Sequence, residues 1–201
     1  MRFVNFGMAT LMLATAATAA FAQASEPAMA SVLSLDDGLL SIMKSGKAVG
    51  AKGRAAAISP VLDAVYDLPL MTRLAVGSAW TTIAPADQAA LVAAFRRLTI
   101  AQYASNFDGF SGQSFTIDPK VETRGVDRLV RTTLHDPKGE SVAIAYRLRQ
   151  SGGRWKIIDV FYRNSISQLA TRRADFAGVL RAGGAKALVA HLNALSAKAG
   201  G

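Results

Sequence analysis

Apolar and polar positions follow two different periods along the chain, and the change between them predicts its architecture. From about residue 36 to residue 106, apolar residues recur every three or four positions, the spacing of one face of a helix. Between residues 115 and 162 they recur at every second position, the spacing of a strand. After residue 167 the helical spacing returns. An order of helices, then consecutive antiparallel strands, then helices predicts an α+β fold.

Four helices are predicted in the first half of the chain, after a loose lead-in over Gln23–Ser34. Asp67 is a suitable N-cap for the third helix, which has a proline near its first turn. The fourth helix has an apolar side that includes Phe95 and Tyr103, and Gln102 is predicted to lie on the other side. The predicted helices cover Asp36–Lys44, a segment containing Ile58–Val65, the stretch from Asp67 to near Trp80, and Pro85 to about Asn106.

The alternating region predicts an antiparallel sheet of about four to five strands. In its last strand Ile158, Val160 and Tyr162 are predicted to share one face. The closing helical region is predicted to break at Gly183–Gly184. The strand candidates are 115–117, 120–124, 127–135, 142–148 and 155–162.

The first 22 residues have the features of a secretory signal peptide. A positive charge at Arg2 precedes an apolar, alanine-rich stretch, and Ala20-Phe21-Ala22 forms a small-x-small cleavage site. We therefore predict residues 1–22 as signal peptide, export to the periplasm, and one domain over residues 23–201. No later stretch reaches the roughly 18 consecutive apolar residues that a membrane-spanning helix needs.

Composition narrows the chemistry that the chain can perform. It has no cysteine and two histidines, which excludes thiol catalysis, disulfides, and metal sites built from cysteine or from histidine clusters. Its 23 Lys and Arg residues exceed its 14 Asp and Glu residues, giving a formal net charge of +9. This charge suits a polyanion or an anionic lipid surface, or else it is a solvated cationic surface. The exported compartment and the lack of an aromatic-basic RNA motif argue against nucleic acid.

One catalytic pattern is present, and its surroundings argue against it. Ser41 and Lys44 match S-x-x-K, the nucleophile motif of penicillin-recognising enzymes. The companion motifs are missing, and Ser41 lies among the apolar residues of an amphipathic helix. His135 stands next to Asp136 at a strand end, but no motif ties a serine to it. We therefore predict that the protein is not an enzyme and needs no metal or cofactor.

Six short blocks occur in an order typical of one protein family: Asp67–Trp80, Ala93–Tyr103, Phe110–Phe115, Trp155–Val160, Ser165–Ser167 and Arg173–Phe176. Together they resemble the MlaC, or toluene-tolerance, family of periplasmic phospholipid-binding proteins. The likeness covers nearly the whole mature chain. Asn106–Phe110 and Gly183–Gly184 are similar to the hopanoid-biosynthesis-associated (HpnM-like) branch of that family. A departure is Arg163-Asn164, where the family often has an acidic residue and a glycine.

The resemblance implies a curved sheet and helices around an apolar cavity, with acyl chains inside and the headgroup in water. It implies a lipid carrier whose cargo is a phospholipid or a hopanoid. The implied partners are an inner-membrane ABC transporter complex with an anchored lipid-binding subunit and an outer-membrane lipoprotein complex, which together maintain outer-membrane lipid asymmetry. Burying a two-chain lipid of about 30 methylenes, at ~0.8 kcal/mol each, spares roughly 20 kcal/mol of exposure to water.

Under this resemblance, apolar positions of the helices and strands become candidates for the cavity lining: Leu70, Met71, Leu74, Phe95, Leu98, Tyr103, Phe107, Phe110, Phe115, Ile144, Tyr146, Leu148, Ile158, Val160, Tyr162 and Ile166. The cations expected near the mouth, facing a phosphate headgroup, are Arg73, Arg163 and Arg173. Surface salt bridges are the alternative role for these arginines. The alternative for the lining is a filled core, which would make the protein a non-catalytic adaptor or an accessory factor in hopanoid metabolism.

Overall fold

A computed structural model describes residues 26–200 of the chain. The predicted signal peptide, residues 1–22, lies outside the described residues. The described part contains five α-helices and a six-stranded antiparallel sheet, which confirms the predicted α+β class. Within this part, no helix combines the length and the apolar character needed to cross a membrane.

Four helices precede the sheet and one follows it: α1 Pro27–Ser45, α2 Gly50–Val65, α3 Leu68–Val76, α4 Pro85–Asn106 and α5 Gln168–Gly200. Helix α4 has the predicted bounds. Helix α1 starts at Pro27, so the predicted loose lead-in is wrong from that residue onward. Ala28, Val32 and Leu35 are buried and extend the apolar face of α1 by more than two turns.

The helix ends follow the local signals in the sequence. Asp67 caps α3 as predicted, because its Oδ1 accepts a hydrogen bond from the backbone N–H of Leu70 at 3.0 Å. Helix α1 ends at Gly46, whose φ of 63° is a left-handed conformation that favours glycine. Within α5, Gly184 has a φ of 67° and kinks the helix, in agreement with the predicted break.

The sheet has six strands: β1 Ser114–Ile117, β2 Glu122–Arg124, β3 Asp127–His135, β4 Val142–Ser151, β5 Arg154–Tyr162 and β6 Ile166–Ser167. Their order is β1-β3-β4-β5-β6, and β2 pairs with β3 alongside β1. The sheet exceeds the predicted four to five strands because the two-residue strand β6 is too short to produce a visible alternation.

A bulge interrupts the alternation of β5. Tyr146 pairs with Val160, but beyond Arg147 the register shifts, and Leu148 pairs with Ile157. Ile158 is therefore the extra residue of the bulge. The single apolar face predicted for Ile158, Val160 and Tyr162 does not continue through it.

The end of α2 is fixed directly to the sheet. Tyr66 forms a parallel bridge with Ile157, and the backbone N–H of Asp67 donates to the carbonyl oxygen of Ile157 at 3.0 Å. The side chain of Tyr66 is almost fully buried and belongs to the core between helices and sheet. This attachment fixes the α2–α3 junction to the edge of β5 that faces away from β4.

Candidate functional site

A cavity of about 460 Å³ lies between α4, the sheet and the first turns of α5. The described residues therefore do not form the filled core that was the alternative prediction. The cavity is lined by Leu39, Tyr66, Met71, Phe95, Thr99, Gln102, Tyr103, Asn106, Phe107, Leu134, Val142, Ile144, Tyr146, Val160, Tyr162, Gln168, Leu169 and Arg172.

Helix α4 forms one wall through a single face. Its lining residues are spaced four, three, one, three and one positions apart, as one side of a helix requires: Phe95, Thr99, Gln102, Tyr103, Asn106 and Phe107. Tyr103 stacks on Phe107 with ring centroids 5.8 Å apart. The prediction that Gln102 faces away from this side is wrong, because its side chain lines the cavity.

The opposite wall is the inner face of the sheet. Val142, Ile144 and Tyr146 contribute alternate side chains of β4, and Val160 and Tyr162 stand next to them on β5. Burial increases along this wall, since Tyr162 is 41% exposed and Tyr146 is 2% exposed. The cavity thus has an open mouth near Tyr162 and a closed inner end near Tyr146.

The mouth has a polar rim, which consists of Thr99, Gln102, Asn106, Gln168 and Arg172. The guanidinium of Arg172 donates to the amide oxygen of Gln102. Desolvation lowers the pKa of Arg172, and the nearby charge of Asp175 opposes this shift. Arg172 is the one charged side chain among the described lining residues. An apolar cavity with a fixed cation at its rim suits an amphiphile with an anionic or zwitterionic head.

The closed end is polar as well, and we call Asp36, Tyr66, Tyr103, Thr132 and Tyr146 the inner polar cluster. The hydroxyls of Tyr66 and Tyr103 are hydrogen-bonded, with ring centroids 6.0 Å apart. Burial raises the pKa of Tyr103 to about 12, while its bond to Tyr66 opposes the shift. Burial also raises the pKa of Asp36 to about 7, and the charge of Asp37 adds to this.

A second hollow of about 310 Å³ lies beside the cavity, and Leu169 contributes to both. Arg147, Arg149 and Arg173 line it. The first two are paired with buried Asp127, at 2.5 Å and 2.6 Å. Although burial opposes the shift, these two guanidiniums hold the pKa of Asp127 below its usual range. The carboxylate of Asp127 therefore offsets one of the three arginine charges in this hollow.

Half of the predicted lining residues surround the cavity: Met71, Phe95, Tyr103, Phe107, Ile144, Tyr146, Val160 and Tyr162. The other eight lie elsewhere. Leu98 and Leu148 are fully buried in the core, and Leu74 and Ile158 line the second hollow. The remaining four, which do not border the cavity, are Leu70, Phe110, Phe115 and Ile166.

The predicted headgroup cations do not line the cavity. Arg73 is exposed on α3, and Arg173 belongs to the second hollow. Arg163 is paired with Glu140 at 3.5 Å and lies 5.7 Å from the ring centroid of Tyr162 at the mouth. Sequence reasoning missed Arg172, although it stands one turn after Gln168 on the same helix face.

The described residues contain no group of three or more His, Asp or Glu side chains arranged to hold a metal ion. A sheet and helices that enclose an apolar cavity with a polar rim are the architecture of a protein that binds an amphiphilic molecule. Comparison of the sequence with known protein families identifies the family within this class. The chain belongs to the MlaC family, since residues 34–194 match the family described as "MlaC protein".

A solved structure supports the same assignment of fold. It is that of a phospholipid-binding protein from Ralstonia solanacearum in complex with a phospholipid, and it is 25% identical in sequence to this chain. The two superpose with a TM-score of 0.73, over 87% of this chain and 99% of that one. No curated protein matches the chain.

Proposed function

We propose that the protein is a periplasmic lipid carrier that holds the tail of a phospholipid or a hopanoid in the cavity and shuttles it between membrane complexes. The observation that carries this proposal is the cavity itself, which is mostly apolar and has Arg172 as the one charged side chain in its described lining. The phospholipid in the Ralstonia solanacearum relative supports it. Its expected partners are an inner-membrane ABC transporter complex and an outer-membrane lipoprotein complex.

The cavity volume indicates how much lipid it shields. A methylene group takes about the space of a water molecule, roughly 30 Å³. The 460 Å³ of the cavity therefore hold roughly 15 chain carbons, the length of one acyl chain. At ~0.8 kcal/mol for each methylene, shielding one chain is worth about 12 kcal/mol. A second chain of the same lipid requires the walls to part.

Carrying such a molecule requires no chemical step. The walls need apolar side chains, and the mouth needs to exchange its contents with a membrane complex. Tyr162 at the mouth and Ile166, its partner across the β5–β6 pair, are both largely exposed. They form an apolar lip over which a tail can leave without crossing open water. A non-enzymatic role is therefore part of the proposal.

Protein purified from bacteria is expected to contain lipid close to one molecule per chain. Denaturing extraction followed by mass spectrometry measures this ratio, and native mass spectrometry identifies the mass of the bound species. A folded sample that yields no lipid by either method would contradict the carrier proposal. An altered lipid that accumulates as a product would favour an enzymatic accessory role.

Removing the charge of Arg172 is expected to weaken the binding of an anionic single-chain lipid about tenfold, since one charge-assisted hydrogen bond is lost. Titration of Arg172→Met with lysophosphatidylglycerol measures the effect. Arg181→Met, an exposed change on the same helix, is the matched control and should bind like the wild type. If Arg173→Met weakens the binding of this lipid and Arg172→Met does not, the headgroup lies over the second hollow.

A further inference from the structure

The closed end of the cavity is more polar than a site for a plain hydrocarbon tail requires. Side chains of Tyr66, Tyr103 and Tyr146 line the cavity there, between apolar residues such as Leu39 and Phe95. Three phenol groups from different parts of the fold thus lie close together at the closed end. Only one hydrogen bond between two of them, Tyr66 and Tyr103, is formed among the described residues.

Asp36 stands behind this end of the cavity, one helical turn before Leu39 on the same face of α1. It is 4% exposed, and neither carboxyl oxygen has a hydrogen-bond partner in residues 26–200. Its charge raises the pKa of Tyr66, Tyr103 and Tyr146, after the larger effect of burial. The carboxyl group is therefore close to all three rings.

The sheet contributes a second buried polar group, the hydroxyl of Thr132 on β3. Thr132 pairs with Ile144, a lining residue, so both side chains lie on the inner face of the sheet. Thr132 is 3% exposed and lies close enough to Tyr146 for its hydroxyl to lower the pKa of that phenol, but the pair lacks good hydrogen-bond geometry in the described part of the chain. Buried polar groups are almost always hydrogen-bonded. The unpaired carboxyl of Asp36 and this poorly paired hydroxyl therefore indicate that a group from a ligand or from solvent completes the cluster.

The side chains of the inner polar cluster restrict which chemical group can bind there. A hydrocarbon chain end satisfies none of them, and a carboxylate would be repelled by ionised Asp36. A neutral hydroxyl both donates and accepts, so it complements a carboxyl group and neighbouring phenols in either protonation state of Asp36. A trapped water molecule has the same abilities and is the competing occupant.

We propose that the inner polar cluster is a hydrogen-bonding subsite for a hydroxyl group on the buried end of the ligand. The cavity would then select an amphiphile that is polar at both ends, with its head at Arg172 and its hydroxyl among the phenols of Tyr66, Tyr103 and Tyr146, behind which Asp36 lies. This inference rests on the proposed function, because it names the class of lipid that the same cavity prefers.

The test compares two probes that differ only at the buried end. They are lysophosphatidylcholine with a hexadecanoyl chain and the same lipid with a 16-hydroxyhexadecanoyl chain, a length that matches the capacity of the cavity. Titration calorimetry gives the ratio of their dissociation constants. The wild type is expected to bind the hydroxylated probe at least as tightly as the plain one. In Asp36→Leu the ratio of the two dissociation constants should shift at least tenfold in favour of the plain probe. This is the effect of one hydrogen bond left unmade in a buried site.

Two further variants keep the result interpretable. Asp37→Leu makes the same change at the neighbouring, exposed position and should retain the wild-type ratio. Tyr146→Phe removes one hydroxyl while preserving the packing of its ring, and it should shift the ratio in the same direction as Asp36→Leu. It serves as the test if Asp36→Leu does not fold.

The outcomes separate this inference from the proposed function. If neither probe binds the wild type, the carrier proposal fails. If both probes bind and their ratio stays within twofold in Asp36→Leu and Tyr146→Phe, the carrier proposal stands and the subsite does not exist. That second result would mean that the cluster holds water alone.

Discussion

Val160→Arg is expected to reduce the lipid bound to the purified protein at least tenfold. Val160 is partly buried and lines the middle of the cavity wall, opposite α4. An arginine there fills part of the 460 Å³ space and places a charge against the acyl chain, where it has no described acidic partner. Lipid extraction and mass spectrometry, normalised to protein, measure the loss. Circular dichroism checks that the variant is folded.

Val126→Arg is the matched control, because Val126 is 72% exposed in the turn before β3 and does not line the cavity. It should keep the lipid content of the wild type. Leu148→Arg is a less informative change, since Leu148 is fully buried in the core and the variant is expected to unfold. Unchanged lipid in a folded Val160→Arg protein would show that the cavity is not where lipid binds.

Asp36→Leu is expected to raise the free energy of unfolding of the lipid-free protein, and to raise it more at pH 8 than at pH 4. The folded pKa of Asp36 is about 7, compared with 3.8 for an ordinary aspartate. Between these values the unfolded chain loses a proton that the folded protein keeps, so stability falls as the pH rises toward 7. A shift of this size corresponds to about 4 kcal/mol of pH-dependent destabilisation, as an order of magnitude.

Urea denaturation of both proteins at pH 4, 6 and 8 measures the difference directly. The tyrosines that face Asp36 do not titrate in this range, because burial raises their pKa values further above 10. The charge of Asp37 adds to the raised pKa of Asp36, so its contribution is part of the measured difference. A stability difference that is the same at all three pH values would mean that Asp36 is not held neutral by burial. The urea measurements give the effect of Asp36 on stability, and the probe titrations give its effect on ligand binding. The two experiments together show whether Asp36 destabilises the lipid-free protein while it improves binding.

The elements that the sequence predicted well are those with strong local signals. Helix α4 has a proline at its start and an uninterrupted apolar repeat, and α3 has Asp67 as its cap. The first turns of α1 were missed because Glu26 makes no side-chain cap bond and the residues are small. That error also hid Asp36, which looks like a solvated helix start in the sequence but lies in the buried middle of α1.

The site was predicted only in part, for a different physical reason. Periodicity identifies the face of an element that is buried, but a packed neighbour and a hollow bury it equally well. Leu98 and Tyr103 share the apolar side of α4, yet the first packs in the core and the second lines the cavity. Arg172 was missed because a lone arginine on a helix carries no signal of the cavity that other helices and three strands build around it.

The shape of the sheet margin bears on how such a protein behaves at high concentration. Unpaired backbone groups along an edge strand are a template on which a second molecule can add a strand. Here β6 pairs with only Phe161 and Tyr162 of β5, and the backbone of Tyr66 and Asp67 occupies the same side of β5 at Ile157. These two segments leave fewer backbone groups of β5 open to intermolecular strand addition, which disfavours fibril growth there even though an apolar opening lies close by.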